Sequence, residues 1–305
     1  MSRAPEQRAG VTNRDLSGTR ALVTGSTSGI GRQTALSLAR LGADVIVHGR
    51  DADAGATVVD ELRELGSDAR FVQADFADVE AVRELAETVK NDTDELDVLV
   101  NNAGGMSRDG RLTDLGVEYT FHVNHLAPFL LTTELLDHVA DGGRVVTTGS
   151  LAHRGVRLDL DEVTDVERHT GWRAYQRSKL ANVQFALALA RRLDAAGRDV
   201  TSNTLHPGAI PGSGFSRFLP SPLPETISLL DGLPLVTSVE DGAAGLVYLA
   251  ASDEVAGVSG RYFSKRQPRK PSREARNRDA QRRLWERSAA FLDVEEPLAE
   301  PAAVQ

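Results

Sequence analysis

The sequence predicts an α/β fold, a doubly wound parallel sheet of about seven strands with helices on both faces, and two observations predict it. Short apolar runs alternate with amphipathic runs of helical period along most of the chain. Such alternation implies crossover connections, and hence parallel strands covered on both sides. The first strand also runs into a glycine-rich turn and then a helix: Arg20-Ala-Leu-Val-Thr24, Gly25-Ser-Thr-Ser-Gly29-Ile-Gly31, then Arg32 to Leu41. In that context the glycines let the backbone approach a pyrophosphate at the positive end of the helix.

The remaining elements follow in order. Asp44 to His48, Ala69 to Ala74 and Leu96 to Asn101 read as strands, separated by helices over Ala52 to Leu65 and Val79 to Lys90. A helical pattern runs from about Val117 to Val139, followed by strand Arg144 to Thr148, a Gly- and Pro-free helix from Trp172 to about Leu193, and strand Val200 to Leu205. The pattern then breaks into Gly, Pro, Leu and Phe, and a loop this long inside a compact domain is usually functional, most often a lid. Helix returns from Val239 to Ala251, and Gly260-Arg-Tyr-Phe263 reads as a last strand. The expected organisation is a disordered tail over 1–17, one domain over 18–294 with a lid over 209–237, and a loose tail over 295–305.

Composition narrows the function classes. A chain of 305 residues with 41% hydrophobic content can bury a substantial core. No run approaches the roughly 18 apolar residues of a membrane span, and Met1 to Asp15 lacks an apolar signal core, so the expected location is the cytoplasm without a membrane anchor. The absence of cysteine excludes disulfides, thiolate metal sites and a cysteine nucleophile. A net charge of -9 argues against nucleic-acid binding, although Arg261 to Arg287 is locally basic and reads as a solvated helix face. His153 and His206 have no companions at metal-ligand spacing, so no metal is expected.

The chemistry centres on Tyr175-Gln-Arg-Ser-Lys179. Four residues apart on a helix, the phenol and the ammonium share one face. A phenol titrates near pH ~10, and a neighbouring positive charge favours the phenolate and brings that value toward the working range. By itself the pair reads as a half-buried Tyr beside a solvated Lys.

Several motifs occur with it in one order: Thr24-Gly-Ser-Thr-Ser-Gly-Ile-Gly31, Asn101-Asn-Ala-Gly104, Asn124, Ser150, Tyr175-x-x-x-Lys179 and His206-Pro-Gly208. Together they resemble the short-chain dehydrogenase/reductase family, whose fold is of the single-domain Rossmann type. Val123-Asn-His-Leu, Ser150-Leu-Ala-His153, Gly257-Val-Ser-Gly-Arg-Tyr-Phe263 and Arg283-Leu-Trp-Glu286 are similar to its retinol-dehydrogenase-like branch. The resemblance implies a catalytic tetrad. Tyr175 would exchange a proton with the substrate oxygen, Lys179 would lower its pKa and hold the nicotinamide ribose, and Ser150 would donate a hydrogen bond to the substrate oxygen. Asn124 would anchor a water-mediated proton path through its main-chain carbonyl. Pro128, four residues later, has no N–H to give that carbonyl, so the helix should kink there and leave the carbonyl open.

The resemblance also implies cofactor contacts at Gly25, Ser28, Gly29, Ile30, Gly31, Asp75, Phe76, Asn102, Ala103, Gly104, Tyr175, Lys179, Pro207 and Gly208. Enzymes that prefer NAD usually carry an acidic residue at the end of the second strand. This chain has His48-Gly49-Arg50 there, and Arg50, with Arg32 as a second charge, suits the 2′-phosphate of NADP; NADP is therefore expected over NAD. Asp75 would receive the adenine amine or cap the next helix, where Asp78 is better placed. After Gly208 the family often has a Thr, whereas this chain reads Ala209-Ile-Pro-Gly-Ser213, and Ser213 would have to take over. Ile210, Phe215, Phe218 and Leu219 suggest an apolar alcohol or carbonyl substrate, or pack on the body or on another subunit. The leading expectation is an NADP-dependent oxidoreductase; the alternative is a binding-only sensor or scaffold of the same fold. A homo-oligomer, paired through the helices Val117 to Val139 and Trp172 to Leu193, is implied by the resemblance.

Overall fold

The computed structural model describes residues 3–167, 169–208 and 237–298. In chain order these form α1 (Pro5–Ala9), β1 (Arg20–Val23), α2 (Gly29–Arg40), β2 (Asp44–Gly49), α3 (Ala52–Glu64), β3 (Arg70–Gln73), α4 (Val79–Asp92) and β4 (Leu96–Asn101). Then come α5 (Tyr119–Phe121), a π-helical turn (His122–Leu126), α6 (Ala127–Leu135), β5 (Val139–Thr148), α7 (Gly171–Ala195) and β6 (Val200–His206). The last elements are α8 (Val239–Ala251), β7 (Tyr262–Ser264), β8 (Gln267–Arg269) and α9 (Arg278–Phe291).

Among the described residues one sheet of eight strands runs in the order β3-β2-β1-β4-β5-β6-β7-β8. Every neighbouring pair is parallel except β7 with β8. Strand alternation divides the core in two. Leu22, Ile46, Leu99 and Val145 face α4, α6, α7 and α9, whereas Ala21, Val23, Val45 and Val98 face α2, α3 and α8. The helices that cover the sheet are capped by their own sequence: Asp51, Asp78, Thr170, Ser238 and Asn277 each accept from a backbone N–H in the first turn.

The structure departs from the sequence pattern at both termini and in the middle. The expected disordered tail over 1–17 is instead folded from residue 3 on: α1 packs on α8 and α2, Ala9, Val11 and Leu16 are buried, and Glu6 accepts from Ser37 Oγ at 2.7 Å. A five-residue helix is too short to show a period, and its caps alone would not hold it without the tertiary contacts. The expected loose tail is ordered as far as residue 298, because Trp285 Nε1 donates to the Pro297 carbonyl at 3.1 Å and Arg192 Nη1 to that of Leu298 at 2.5 Å. Of the basic segment, expected as one helix face, only Arg278 onward is helical, and that helix, α9, is solvated on one face only. The other buries Leu284 and Trp285, and Trp285 packs edge-on to Phe129 at 5.0 Å and stacks with Phe185 at 5.8 Å. Burying each such ring contributes roughly 1.5–3 kcal/mol.

The helix expected over Val117 to Val139 is broken into several pieces: the end of a short clip over residues 111–119, α5, the π-helical turn, α6 and a 3-10 turn (Leu136–His138), with Val139 already opening β5. The Ala127 N–H donates to the His122 carbonyl five residues back, and Pro128 lies in the first turn of α6. The disturbance expected from the proline is therefore a widened turn ahead of it. The expected lid lies outside the described residues except for Thr237.

Burial pushes four histidines well below their ordinary value of 6.5: His48, His122 and His206 to about 4, and His125 to about 3. The unfolded chain binds protons that the native state refuses, so stability is intact above pH ~6.5 and is lost as pH falls toward ~4, by up to roughly 1.4 kcal/mol per unit for each histidine. The urea midpoint should accordingly fall steadily over that window, and a level midpoint would contradict it.

Candidate active site

The site is built where β1 and β4 end side by side. Thr24 Oγ1 donates to the Val100 carbonyl at 3.2 Å and accepts from the N–H groups of Asn102 and Ala103, both at 3.0 Å. Asn102 Nδ2 donates to the carbonyls of Thr24 at 3.0 Å and Gly25 at 3.3 Å. The turn and the start of α2 are thereby held against β4. A Cβ on Gly31 would sit 2.3 Å from the Gly25 carbonyl oxygen and 2.6 Å from Asn102 Nδ2, so only glycine allows this approach. The Asn102 side chain holds the turn rather than facing the cleft.

His48, which the sequence pattern treated only as the end of a strand, supports the turn from the other side. Gly25 N–H donates to its Nδ1 at 3.2 Å, and Nε2 lies 3.2 Å from the Ala74 carbonyl. The first bond makes Nδ1 an acceptor, so Nε2 carries the proton of a neutral ring. Phe76 stacks on that ring at 4.4 Å and is buried. Its side chain is committed to the core, so a cofactor contact at this position falls to the main chain. A histidine at the end of an otherwise apolar strand, with two ring nitrogens to satisfy, was the available signal.

The residues fit a dinucleotide. Ser28 makes no side-chain cap at the start of the twelve-residue α2, which leaves that turn's N–H groups for a ligand anion, and Gly29 and Ile30 open the same helix. Arg50 follows β2 with its side chain 66% exposed, 3.9 Å from Asp75 Oδ2. Asp51 is used as the cap of α3, accepting from Ala54 N–H at 3.0 Å. Asp75 also accepts from Ala77 N–H at 3.0 Å, while Asp78 caps α4. Arg32 is paired with Glu61, so the second charge expected from it is already engaged.

Asn124, Ser150, Tyr175 and Lys179 come together beyond the ends of β4 and β5. A Cβ on Gly104 would lie 2.7 Å from Asn124 Oδ1 and 3.6 Å from Lys179 Nζ, so the Asn102–Gly104 strand end runs directly beside them. Buried Asn124 accepts from Gly105 N–H at 2.8 Å, and its Nδ2 donates to the Gly105 carbonyl at 2.8 Å and to Ser178 Oγ at 2.9 Å. Ser178 Oγ in turn donates to the Tyr175 carbonyl at 2.9 Å. Its place inside the Tyr-x-x-x-Lys spacing offered no signal for that role.

Ser150 favours the Tyr175 phenolate, and its Oγ accepts from Ala152 N–H at 3.2 Å, so the cap and the influence on the site coexist. Behind it His153, fully buried, lies 2.6 Å by Nδ1 from the Ser150 carbonyl and accepts at Nε2 from Ser272 N–H at 3.1 Å. Lys179 Nζ lies over the Tyr175 ring, 5.7 Å from its centroid, and donates to the Thr148 carbonyl at 3.1 Å. Burial pushes this ammonium down to about 8. The lowering of the phenol expected from Lys179 is not expressed in this arrangement: burial pushes Tyr175 above its ordinary value, and Ser150 opposes it. Gly208 packs on Thr237, and His206 Nε2 lies 2.8 Å from Ser264 Oγ, which places Pro207 and Gly208 after β6. Ser213 is outside the described residues.

The family model for the short chain dehydrogenase matches residues 19–218. The chain belongs to that family. It is an oxidoreductase of the retinol-dehydrogenase-like branch: it is 36% identical over 291 residues to human (Homo sapiens) retinol dehydrogenase 13, covering 90% of this chain and 85% of that protein. To the polyprenol dehydrogenase of Mus musculus it is 40% identical over 273 residues, covering 87% and 81%. A crystal structure of a short chain dehydrogenase from Burkholderia cenocepacia J2315 in complex with NADP matches with a TM-score of 0.68 at 30% identity, covering 82% of this chain and 97% of that one. Among the described residues no helix is long and apolar enough to cross a membrane.

Gly31→Ala tests the close approach. The added methyl meets a backbone carbonyl, which cannot yield as a flexible side chain would, and overpacking of this kind costs roughly 1–3 kcal/mol. Urea unfolding should show that loss, together with a loss of dinucleotide binding.

Proposed function

We propose that the protein transfers hydride between NADP and an apolar alcohol or carbonyl compound through Asn124, Ser150, Tyr175 and Lys179. The observation that carries this is Lys179 Nζ over the Tyr175 ring, with Gly104 against Asn124 and Ser150 favouring the phenolate. A binding-only protein has no use for that convergence. The bound dinucleotide supplies the hydride donor or acceptor.

Ser150 Oγ would donate to the substrate oxygen, the position at which charge develops as carbonyl and alkoxide interconvert. Tyr175 Oη would give or take the proton on that oxygen. Lys179 would hold the nicotinamide ribose, and in leaving the Thr148 carbonyl its charge would come to favour the phenolate. Asn124 would keep the Gly105 strand end and α7 in register, while its main-chain carbonyl, which Pro128 cannot bond, would hold the water of a proton path. Pro128 meets one requirement of that idea by lying within α6.

Support for NADP comes from Arg50 at the end of β2, from the diversion of Asp51 into a helix cap, and from the NADP complex among related structures. The relatives named for retinol and polyprenol support an apolar substrate. The cytoplasm is the proposed location. A homo-oligomer would have to form over α9 or elsewhere, since α9 packs on α7 and buries Trp285 against Phe129 of α6 and Phe185 of α7.

Two measurements test the proposal. A screen of apolar aldehydes, ketones and alcohols, followed by cofactor absorbance, should show turnover with NADPH or NADP exceeding that with NADH or NAD; a clear preference for NAD would defeat the cofactor assignment. Tyr175→Phe should lower kcat by at least roughly 10²-fold while NADPH binding persists. An unchanged rate on a true substrate would overturn the mechanism.

A further inference from the structure

The segment between β4 and α5 holds a structure that the glycine turn and the tetrad do not use. Leu112 pairs with Glu118 in an antiparallel bridge, Thr113 N–H donates to the Val117 carbonyl at 2.9 Å, and Tyr119 N–H donates to the Arg111 carbonyl at 3.0 Å. The clip closes through a turn in which Gly116 N–H donates to the Thr113 carbonyl at 2.8 Å. Glu118 pins it to the protein: its carboxylate accepts from the N–H groups of Thr120 and Phe121, both at 2.9 Å, and its own N–H donates to the Val163 carbonyl at 2.7 Å.

This backbone sets Arg111 opposite Tyr119, and the guanidinium carbon lies 3.9 Å from the centre of the phenol ring. The same tyrosine is reached from the sheet, because Arg50 Nη1 donates to its hydroxyl at 3.3 Å. Two guanidinium groups from separate elements thus converge on one side chain, beside Asp75, which lies 3.9 Å from Arg50. Surface packing of an arginine on an aromatic ring would explain Arg111 alone, but not the arrival of Arg50 at the same ring.

We infer that Arg111, carried on the face of Tyr119 beside Arg50, is a second cationic contact for the 2′-phosphate of the dinucleotide. The inference rests on the NADP reading above and deepens it. A phosphate carries close to two negative charges, and Arg50 shares its charge with Asp75. A guanidinium that stacks by its face keeps its N–H groups in the plane of its edge, which is how it grips a phosphate. Tyr119 is then a spacer that holds both arginines in place before binding and reduces the ordering cost of the long side chains.

Calorimetry on the full chain with 2′,5′-ADP and 5′-AMP tests this, since the two probes differ by the 2′-phosphate. The wild type should prefer 2′,5′-ADP. Arg111→Gln should reduce that preference by roughly 10-fold, with 5′-AMP affinity unchanged as the control for folding. Tyr119→Leu, which removes the platform, should act like Arg111→Gln, whereas Tyr119→Phe keeps the ring and should retain most of the preference. If Arg111→Gln keeps the wild-type preference, or weakens both probes equally, the assignment of Arg111 is wrong while the NADP reading stands. If the wild type itself shows no preference, both fall.

Discussion

The approach of α2 to the end of β1 is the constraint on which the rest of the site depends. The Gly25 carbonyl occupies the space into which any side chain at position 31 would project, and Thr24 and Asn102 tie that turn to the end of β4. Because β4 continues into Gly104, and Gly104 lies against Asn124 and Lys179, the glycine turn and the tetrad candidates belong to one packed unit. Close-packed interiors transmit small displacements rather than absorb them. A shift of the helix start would therefore reach the Tyr175 region through β4.

Around Tyr175 burial outweighs charge. The phenol is pushed up and Lys179 is pushed down, because each would carry its charge in a poorly solvated place. Opposing this are Ser150, which favours the phenolate, and the Thr148 carbonyl, which accepts from the ammonium. Ser150 is itself held from the carboxyl-terminal third of the chain, since His153 connects its carbonyl to the backbone of Ser272 and packs edge-on to Tyr262 at 5.0 Å. Tyr262 stacks on His206 at 5.9 Å, immediately before Pro207 and Gly208. The segments after β5 and after β6 are thus braced against β7.

Both chain ends complete the core. α1 covers α8, and α9 covers α6 and α7, where His125 Nε2 meets Ser288 Oγ at 2.9 Å and Arg192 lies over Trp285 at 4.4 Å. A buried arginine is tolerable there because its guanidinium has an aromatic face and the Leu298 carbonyl as partners. The edge strand β8, exposed at Gln267, Pro268 and Arg269, is protected by a proline and a charge from pairing with another sheet edge.

Sequence by itself determined the sheet, the glycine turn, the order of the motifs and the bounds of several elements; Val239 to Ala251, for example, is helical over the span its pattern predicts. These features are local, and periodicity, turn chemistry and capping residues express them within a few positions. Tertiary structure alone decided the rest. That Arg32 is spent on Glu61 and that Asn102 serves the turn both depend on partners from other elements. The interruption between Val117 and Val139 was legible only as a proline; the π-helical turn and the clip need backbone bonds that no periodicity encodes. Arg111 and Arg50, 61 positions apart in the chain, reach the same tyrosine only because a short antiparallel clip lays Arg111 on Tyr119.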